Sequence, residues 1–209
     1  MATRNSGFSI GTAEVLQLFL GDLMVEGFKP IAEYLREASG LTSSLFRAKH
    51  KYPVLLWPRA GDWIEDTAFQ FETFSSEYSD EPPGEISPST ESQIYETLVI
   101  ELAKHGSSAP ANMICLGRAA NNDIVIANKT VSKLHTYFVV SREGDSYEVV
   151  DANSTNGTVV NNKRLAAYKN KPLFNRDSIQ FGPYVQMVYL TPEGFYDLLQ
   201  QLYRSGITF

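Results

Sequence analysis

Residues 136–150 read TYFVVSREGDSYEVV, and their rhythm decides the fold class. Two short runs, 137–141 and 147–150, are dominated by aromatic and β-branched side chains, and Glu143-Gly144-Asp145 lies between them. Such runs on both sides of a short glycine-containing turn predict an antiparallel hairpin. Working outward, the pattern recurs. Upstream candidate strands are 94–102, 113–116 and 124–126; downstream ones are 159–160, 178–181 and 185–190. Turn chemistry separates them at Gly106-Ser107-Ser108, Asn121-Asn122-Asp123, Asn156-Gly157 and Gly182-Pro183. Many short strands so punctuated predict an antiparallel β-sandwich.

The flanks have a different period. Thr12 is placed to cap a helix whose apolar face is Val15, Leu16, Phe19, Leu20 and Leu23. Pro30 suits the first turn of a second helix carrying Ile31, Tyr34 and Leu35 and stopping at Ser39-Gly40. Residues 42–50 suggest a short third helix. Val54-Leu55-Leu56-Trp57, bracketed by Pro53 and Pro58, reads as a short buried strand. Phe69, Phe71 and Phe74 point to more ordered chain beyond it. Residues 75–92 are polar, acidic and proline-containing, the composition of a linker or exposed loop. A last helix opens at Thr191-Pro192-Glu193, presents Phe195, Leu198, Leu199 and Leu202, and ends at Ser205-Gly206.

The expectation is therefore a mostly β protein in four parts. Residues 1–75 form a mainly helical region of unassigned function, 76–92 an acidic linker, 93–191 the sandwich and 192–209 a C-terminal helix. The terminal helices are expected to pack together beside the sandwich, leaving 93–191 self-sufficient.

Composition narrows the function classes. The chain of 209 residues is 43% hydrophobic and 20% charged, too apolar for wholesale disorder. Its one cysteine, Cys115, excludes an internal disulfide and a thiolate metal cluster. A signal-like leader and a run of ~20 apolar residues are both missing, which predicts a cytoplasmic protein without membrane contact. The net charge of −6 is uneven: residues 1–110 hold 8 Lys/Arg against 16 Asp/Glu, and residues 111–209 hold 10 against 8. Neither half has a nucleic-acid footprint, but the second is able to accept an anion.

Four pieces of the sandwich carry the chemistry. They are Gly117-Arg118, Asn122-Asp123-Ile124, Val131-Ser132-Lys133-Leu134-His135, and Ser154-Thr155-Asn156-Gly157-Thr158 followed by Asn161. All fall at strand ends or in loops, where a sandwich gathers its binding groups. One permanent cation, Arg118, stands with the neutral hydroxyls of Ser132 and Thr155 and the amide of Asn156. A phosphate dianion on a peptide needs such a set: one strong charge partner and several oriented hydrogen bonds. The groups make no catalytic set, having no carboxylate pair, no paired metal ligands and no glycine-rich nucleotide loop. No cofactor and no metal are expected. His50 and His105 lie far from His135 in unlike contexts, so His135 reads as a hydrogen-bonding structural residue.

The order Gly-Arg, Asn-Asp-Ile, Ser-x-x-His, Ser-Thr-Asn-Gly-Thr and Asn, within about 45 residues, resembles the forkhead-associated (FHA) family. Arg176-Asp177-Ser178-Ile179-Gln180-Phe181-Gly182 is similar to that family's terminal Gly-Asp-x-Ile-x-Phe-Gly, with arginine in the first position. The resemblance covers residues 93–191. It implies an eleven-stranded sandwich whose loops at one end bind phosphothreonine peptides. By the same resemblance, Arg118 and Ser132 hold the phosphate, and Thr155 binds phosphate or peptide backbone. Asn156 takes the peptide main chain, and Lys133 adds charge or touches flanking residues. Gly117, His135, Gly157 and Asn161 shape the loops. The implied function is a non-enzymatic adaptor for threonine-phosphorylated proteins, with a Ser/Thr kinase or its substrate as a further partner. The alternative is a scaffold that binds without phosphate through the N-terminal region.

Overall fold

A computed structural model describes residues 28–58, Ile94 and 97–207. The helix expected after Thr12, the Phe69–Phe74 segment and the acidic stretch lie outside the described residues. Strands β1 (Phe28–Pro30), β2 (Val54–Trp57), β3 (Leu98–Glu101), β4 (Met113–Gly117), β5 (Ile124–Val125) and β6 (Thr136–Val140) come first. They are followed by β7 (Tyr147–Asp151), β8 (Thr158–Val160), β9 (Lys163–Arg164), β10 (Lys171–Pro172), β11 (Ser178–Phe181) and β12 (Val185–Leu190). The helices are α1 (Ile31–Ala38), α2 (Ser43–Lys49) and α3 (Pro192–Arg204).

Two sheets form, one in the order β1-β3-β2-β12-β11-β8-β9 and the other β10-β7-β6-β4-β5. Every pairing is antiparallel except β4 with β5. The predicted hairpin is β6–β7, with Tyr137 opposite Val150 and Val140 opposite Tyr147. Between the sheets lies a core that includes Leu55, Ile100, Leu116, Phe138, Val149, Ile179, Phe181 and Met187.

The sheet does not keep to the 93–191 boundary. β2 sits inside it, with Leu56 opposite both Val188 of β12 and Val99 of β3. The reason is visible in its apolar run. Leu55 faces the sandwich core, whereas Val54 and Leu56 face a second core on the outer side of the same sheet. A strand covered on both faces has no polar side to alternate with. β1 adds an edge beside β3. There are twelve strands among the described residues, one more than the resemblance implied. β1, β9 and β10 are two or three residues long and offer too little sequence for a periodicity. β3 starts at Leu98, later than residue 94, because the Thr97 N–H turns back to the Ile94 carbonyl at 3.0 Å.

The second core joins the helices as expected. Ile31, Leu35 and Ala38 of α1, Phe46 of α2 and Phe195, Leu198, Leu199 and Leu202 of α3 cover Val54, Leu56, Val99 and Leu190. Phe195 meets Tyr34 and Phe46 edge-on, with centroids 5.2 and 5.9 Å apart. Thr191 caps α3, its Oγ1 accepting the Gly194 N–H at 3.1 Å, with Pro192 in the first helical turn.

Candidate functional site

The register places the chosen loops together. Leu116 is opposite Thr136, Thr136 is opposite Asp151, and Thr158 is opposite Phe181. The C-terminal ends of β4, β7 and β11 and the N-terminal ends of β6 and β8 therefore share one end of the sandwich. There the backbones lock to one another. The Arg118 N–H donates to the Ser132 carbonyl at 2.8 Å, and the Gly182 N–H donates to the Gly157 carbonyl at 3.0 Å. Arg118 Nε donates to the Val131 carbonyl at 3.1 Å. That bond orients an exposed guanidinium, and neither Nη has a partner among the described residues. Gly117 is dictated by close approach, since a Cβ there would lie 2.3 Å from the Lys133 carbonyl oxygen.

Ser132 and Thr155 meet across the gap. The Thr155 N–H donates to Ser132 Oγ at 3.0 Å, and the two hydroxyls are 3.3 Å apart. Asn156 Nδ2 donates to the Thr130 carbonyl at 2.7 Å, so the amide is aimed rather than free to turn. Beneath them lies His135, fully buried. Its Nδ1 accepts the Ser132 N–H at 3.1 Å, which requires Nε2 to carry the ring proton and donate to the Gly157 carbonyl, also at 3.1 Å. Burial holds the His135 pKa below the ordinary value, despite the nearby Asp151 charge.

Two buried carboxylates brace these loops. Asp151 accepts the Ser154 N–H at 2.9 Å and the hydroxyls of Ser154 and Thr158 at 2.7 Å each. Because Thr158 spends its proton on Asp151, the Thr136 hydroxyl is the donor in the 2.7 Å Thr136–Thr158 bond. Ser154 Oγ in turn accepts the Gly157 N–H at 2.9 Å. Burial pushes the Asp151 carboxyl up, but the Thr158 and Ser154 hydrogen bonds outweigh it, and its pKa falls below the ordinary value. Asp123 does the same for the chain leading into β4. It accepts the N–H groups of His105, Ser107 and Cys115 at 2.9, 3.0 and 2.8 Å and pairs with Lys104 at 3.1 Å. Burial opposes its charge too, yet these donors hold it well below the carboxylate range.

The family model described as FHA domain matches residues 114–182. The chain is 33% identical over 112 residues to the oxoglutarate dehydrogenase inhibitor of Corynebacterium jeikeium, covering 51% of this chain and 74% of that protein. The chain belongs to the FHA family. It is also similar to the glycogen accumulation regulator GarA of Mycolicibacterium smegmatis, 37% identical over 75 residues, covering 36% of this chain and 44% of that one. Among solved structures it is similar to the MEK1 FHA domain, with a TM-score of 0.41 at 19% identity, covering 71% of this chain and 97% of that one.

In this FHA chain, Arg118, Ser132, Lys133, Thr155 and Asn156 lie exposed or half-buried at the same end of the sandwich, with Gly117, His135 and Gly157 buried beneath. Asn161 is elsewhere, at the other end of β8. There it has a positive φ of 47°, donates to Asp177 at 2.7 Å and accepts the Ser178 N–H at 2.9 Å. It shapes a loop away from the one that holds Arg118, Ser132 and Thr155. Sequence reasoning did not single out Asp151 and Arg164, and it named Asp123 without giving it a role. Asp123 belongs to the FHA Asn-Asp-Ile piece, where its burial is the missing datum. Asp151 stands three residues before Ser154, the spacing of a carboxylate that accepts a loop N–H. Arg164 has no sequence signal, since its contact with Asn156 depends on the β8–β9 pairing. Among the described residues, no group of three or more His, Cys, Asp or Glu is placed to hold a metal, and no helix is long and apolar enough to cross a membrane.

Proposed function

We propose that this FHA protein is a non-enzymatic adaptor whose loops at one end of the sandwich bind phosphothreonine on a partner protein. The observation that carries the reading is the junction of Arg118, Ser132 and Thr155. An oriented guanidinium with no Nη partner stands beside hydroxyls held by a cross-loop hydrogen bond. A dianionic phosphate takes its charge-assisted bonds from Arg118 and further bonds from Ser132 and Thr155, while Asn156 addresses the peptide main chain. Lys133 adds a second positive charge at the rim. The relatives are an inhibitor and a regulator by name, which agrees with a role in recruiting or restraining other proteins. The partners are threonine-phosphorylated proteins, with a Ser/Thr kinase or its substrate among them.

A phosphopeptide library in three versions tests this reading, carrying phosphothreonine, phosphoserine or unmodified threonine. Selective retention of the phosphothreonine pool is the expected result. Equal retention of the unmodified pool refutes the proposal and leaves the phosphate-independent scaffold as the reading to pursue.

A further inference from the structure

Arg164 lies against the peptide-facing turn although it belongs to another hairpin. It stands on β9 opposite Val159, and its Nη1 donates to the Asn156 carbonyl at 3.0 Å. A Cβ at Gly157 would come within 2.4 Å of Arg164 Cζ and Nη2, so the bare face of that glycine makes room for the guanidinium. The φ of Gly157, +83°, is a second reason for glycine there. One donor of the guanidinium is spent on Asn156. Nε and Nη2 have no partner among the described residues, and the side chain is exposed. A planar fork already oriented by one bond loses less freedom when it takes a planar, bidentate acceptor, and a carboxylate is such an acceptor.

The charge around it points the same way. The chain is acidic overall, at −6. Yet residues 117–119, 127–134, 152–157, 164–170 and 182–184 expose Arg118, Lys129, Lys133, Arg164 and Lys169 and contain no Asp or Glu. A single phosphate does not require that many cations. Such a set attracts a ligand with further negative charge beside the phosphate.

We propose that Arg164 is a specificity-determining residue that reads an acidic side chain flanking the phosphothreonine, so that the ligand class is a phosphothreonine peptide with an acidic flank. This rests on the phosphothreonine reading above.

The test uses the full chain and synthetic peptides titrated by calorimetry. A phosphothreonine peptide with alanine flanks is compared with versions carrying one Asp at each of the three positions on either side. At least one Asp is expected to tighten wild-type binding about threefold to tenfold, the range of a well-formed charged pair at a surface. In R164Q the ratio between that Asp peptide and the alanine peptide should fall towards one, whatever happens to the alanine peptide itself. R164K, which keeps the charge without the fork, should retain part of the ratio. The ratio separates reading from mere support of the Asn156–Gly157 turn, because loss of support weakens both peptides alike. No gain from Asp at any position in the wild type overturns the proposal, as does an unchanged ratio in R164Q. Unphosphorylated peptides run in parallel isolate the other failure. If they bind as tightly as phosphorylated ones, the phosphothreonine reading falls first and this proposal with it.

Discussion

Ser132 Oγ accepts the Thr155 N–H at 3.0 Å, a single bond between loops 23 residues apart in the chain. The serine hydroxyl thus holds the second loop in place and, in the proposed reading, also binds the phosphate. Ser132→Ala should weaken phosphothreonine peptide binding by removing both. In that reading Arg118 supplies the charge, and a charge-assisted hydrogen bond is worth ~1.5–3 kcal/mol, so Arg118→Ala should cost about tenfold or more. Arg118→Lys should not restore binding. An ammonium cannot donate to the Val131 carbonyl as Nε does and still offer two parallel N–H groups. Calorimetry against one selected peptide checks all three variants; wild-type affinity in Arg118→Ala would remove the arginine from the site.

His135 makes the fold pH-sensitive in a defined direction. Its folded pKa is depressed, so the unfolded chain binds its proton first as pH falls. Above the unfolded value near 6.5 the residue contributes no pH dependence, and below it stability declines until the folded pKa is passed. The protonated ring also has no lone pair for the Ser132 N–H. Urea unfolding between pH 7.5 and 5.5 should show stability falling with pH. Nitrogen-resolved spectra of the imidazole should show the neutral Nε2–H form persisting below the pH at which the unfolded chain takes up its proton. A His135 ring already charged at pH 6.5 would contradict the assignment.

Arg176 occupies the position where the FHA pattern has glycine, and its φ is +73°. Left-handed backbone costs a non-glycine residue ~1–2 kcal/mol, and glycine returns part of that through the entropy of the unfolded chain. Arg176→Gly should stabilise the protein by up to about 1 kcal/mol, read as a higher denaturant midpoint with unchanged slope. A lower midpoint would mean that the arginine makes a compensating contact.

A fragment of residues 92–193, which contains the whole sandwich of 93–191 delimited by sequence, should not fold alone. That fragment lacks β1 and β2, which opens the seven-stranded sheet between β3 and β12, and it strips Val99 and Leu190 of their helical cover. Circular dichroism and an unfolding curve on the purified fragment decide the matter. A cooperative transition with native β signal would show the boundary to be sound after all.

How much could be read beforehand follows from what each signal encodes. The β6–β7 hairpin was legible from its aromatic and β-branched runs about a glycine turn, and β11 from the alternation of Ser178-Ile179-Gln180-Phe181, whose Ile179 and Phe181 face the core. β2 was legible as a strand, but its partners were not, because a strand apolar on both faces records burial without saying against what. The cluster of Arg118, Ser132, Thr155 and Asn156 was legible from residue types in loops. Asp151 was not, and Asp123 was quoted only as part of a motif, since a carboxylate held by N–H and hydroxyl donors looks in sequence like any surface acid. Arg164 required three-dimensional pairing to reach Asn156.

β2 and β3 are adjacent antiparallel strands, with Trp57 opposite Leu98, yet forty residues separate these two in the chain. Paired residues of this kind have Cα atoms ~5 Å apart. The interval between them therefore begins and ends at almost the same point of the sheet. Among the described residues, β1, α1, α2 and β2 are held to the rest of the fold by strand pairing and by the helix-covered core. The protein is in effect two interleaved pieces. Fragments 1–75 and 76–209, expressed together, should reassociate and copurify as a complemented pair.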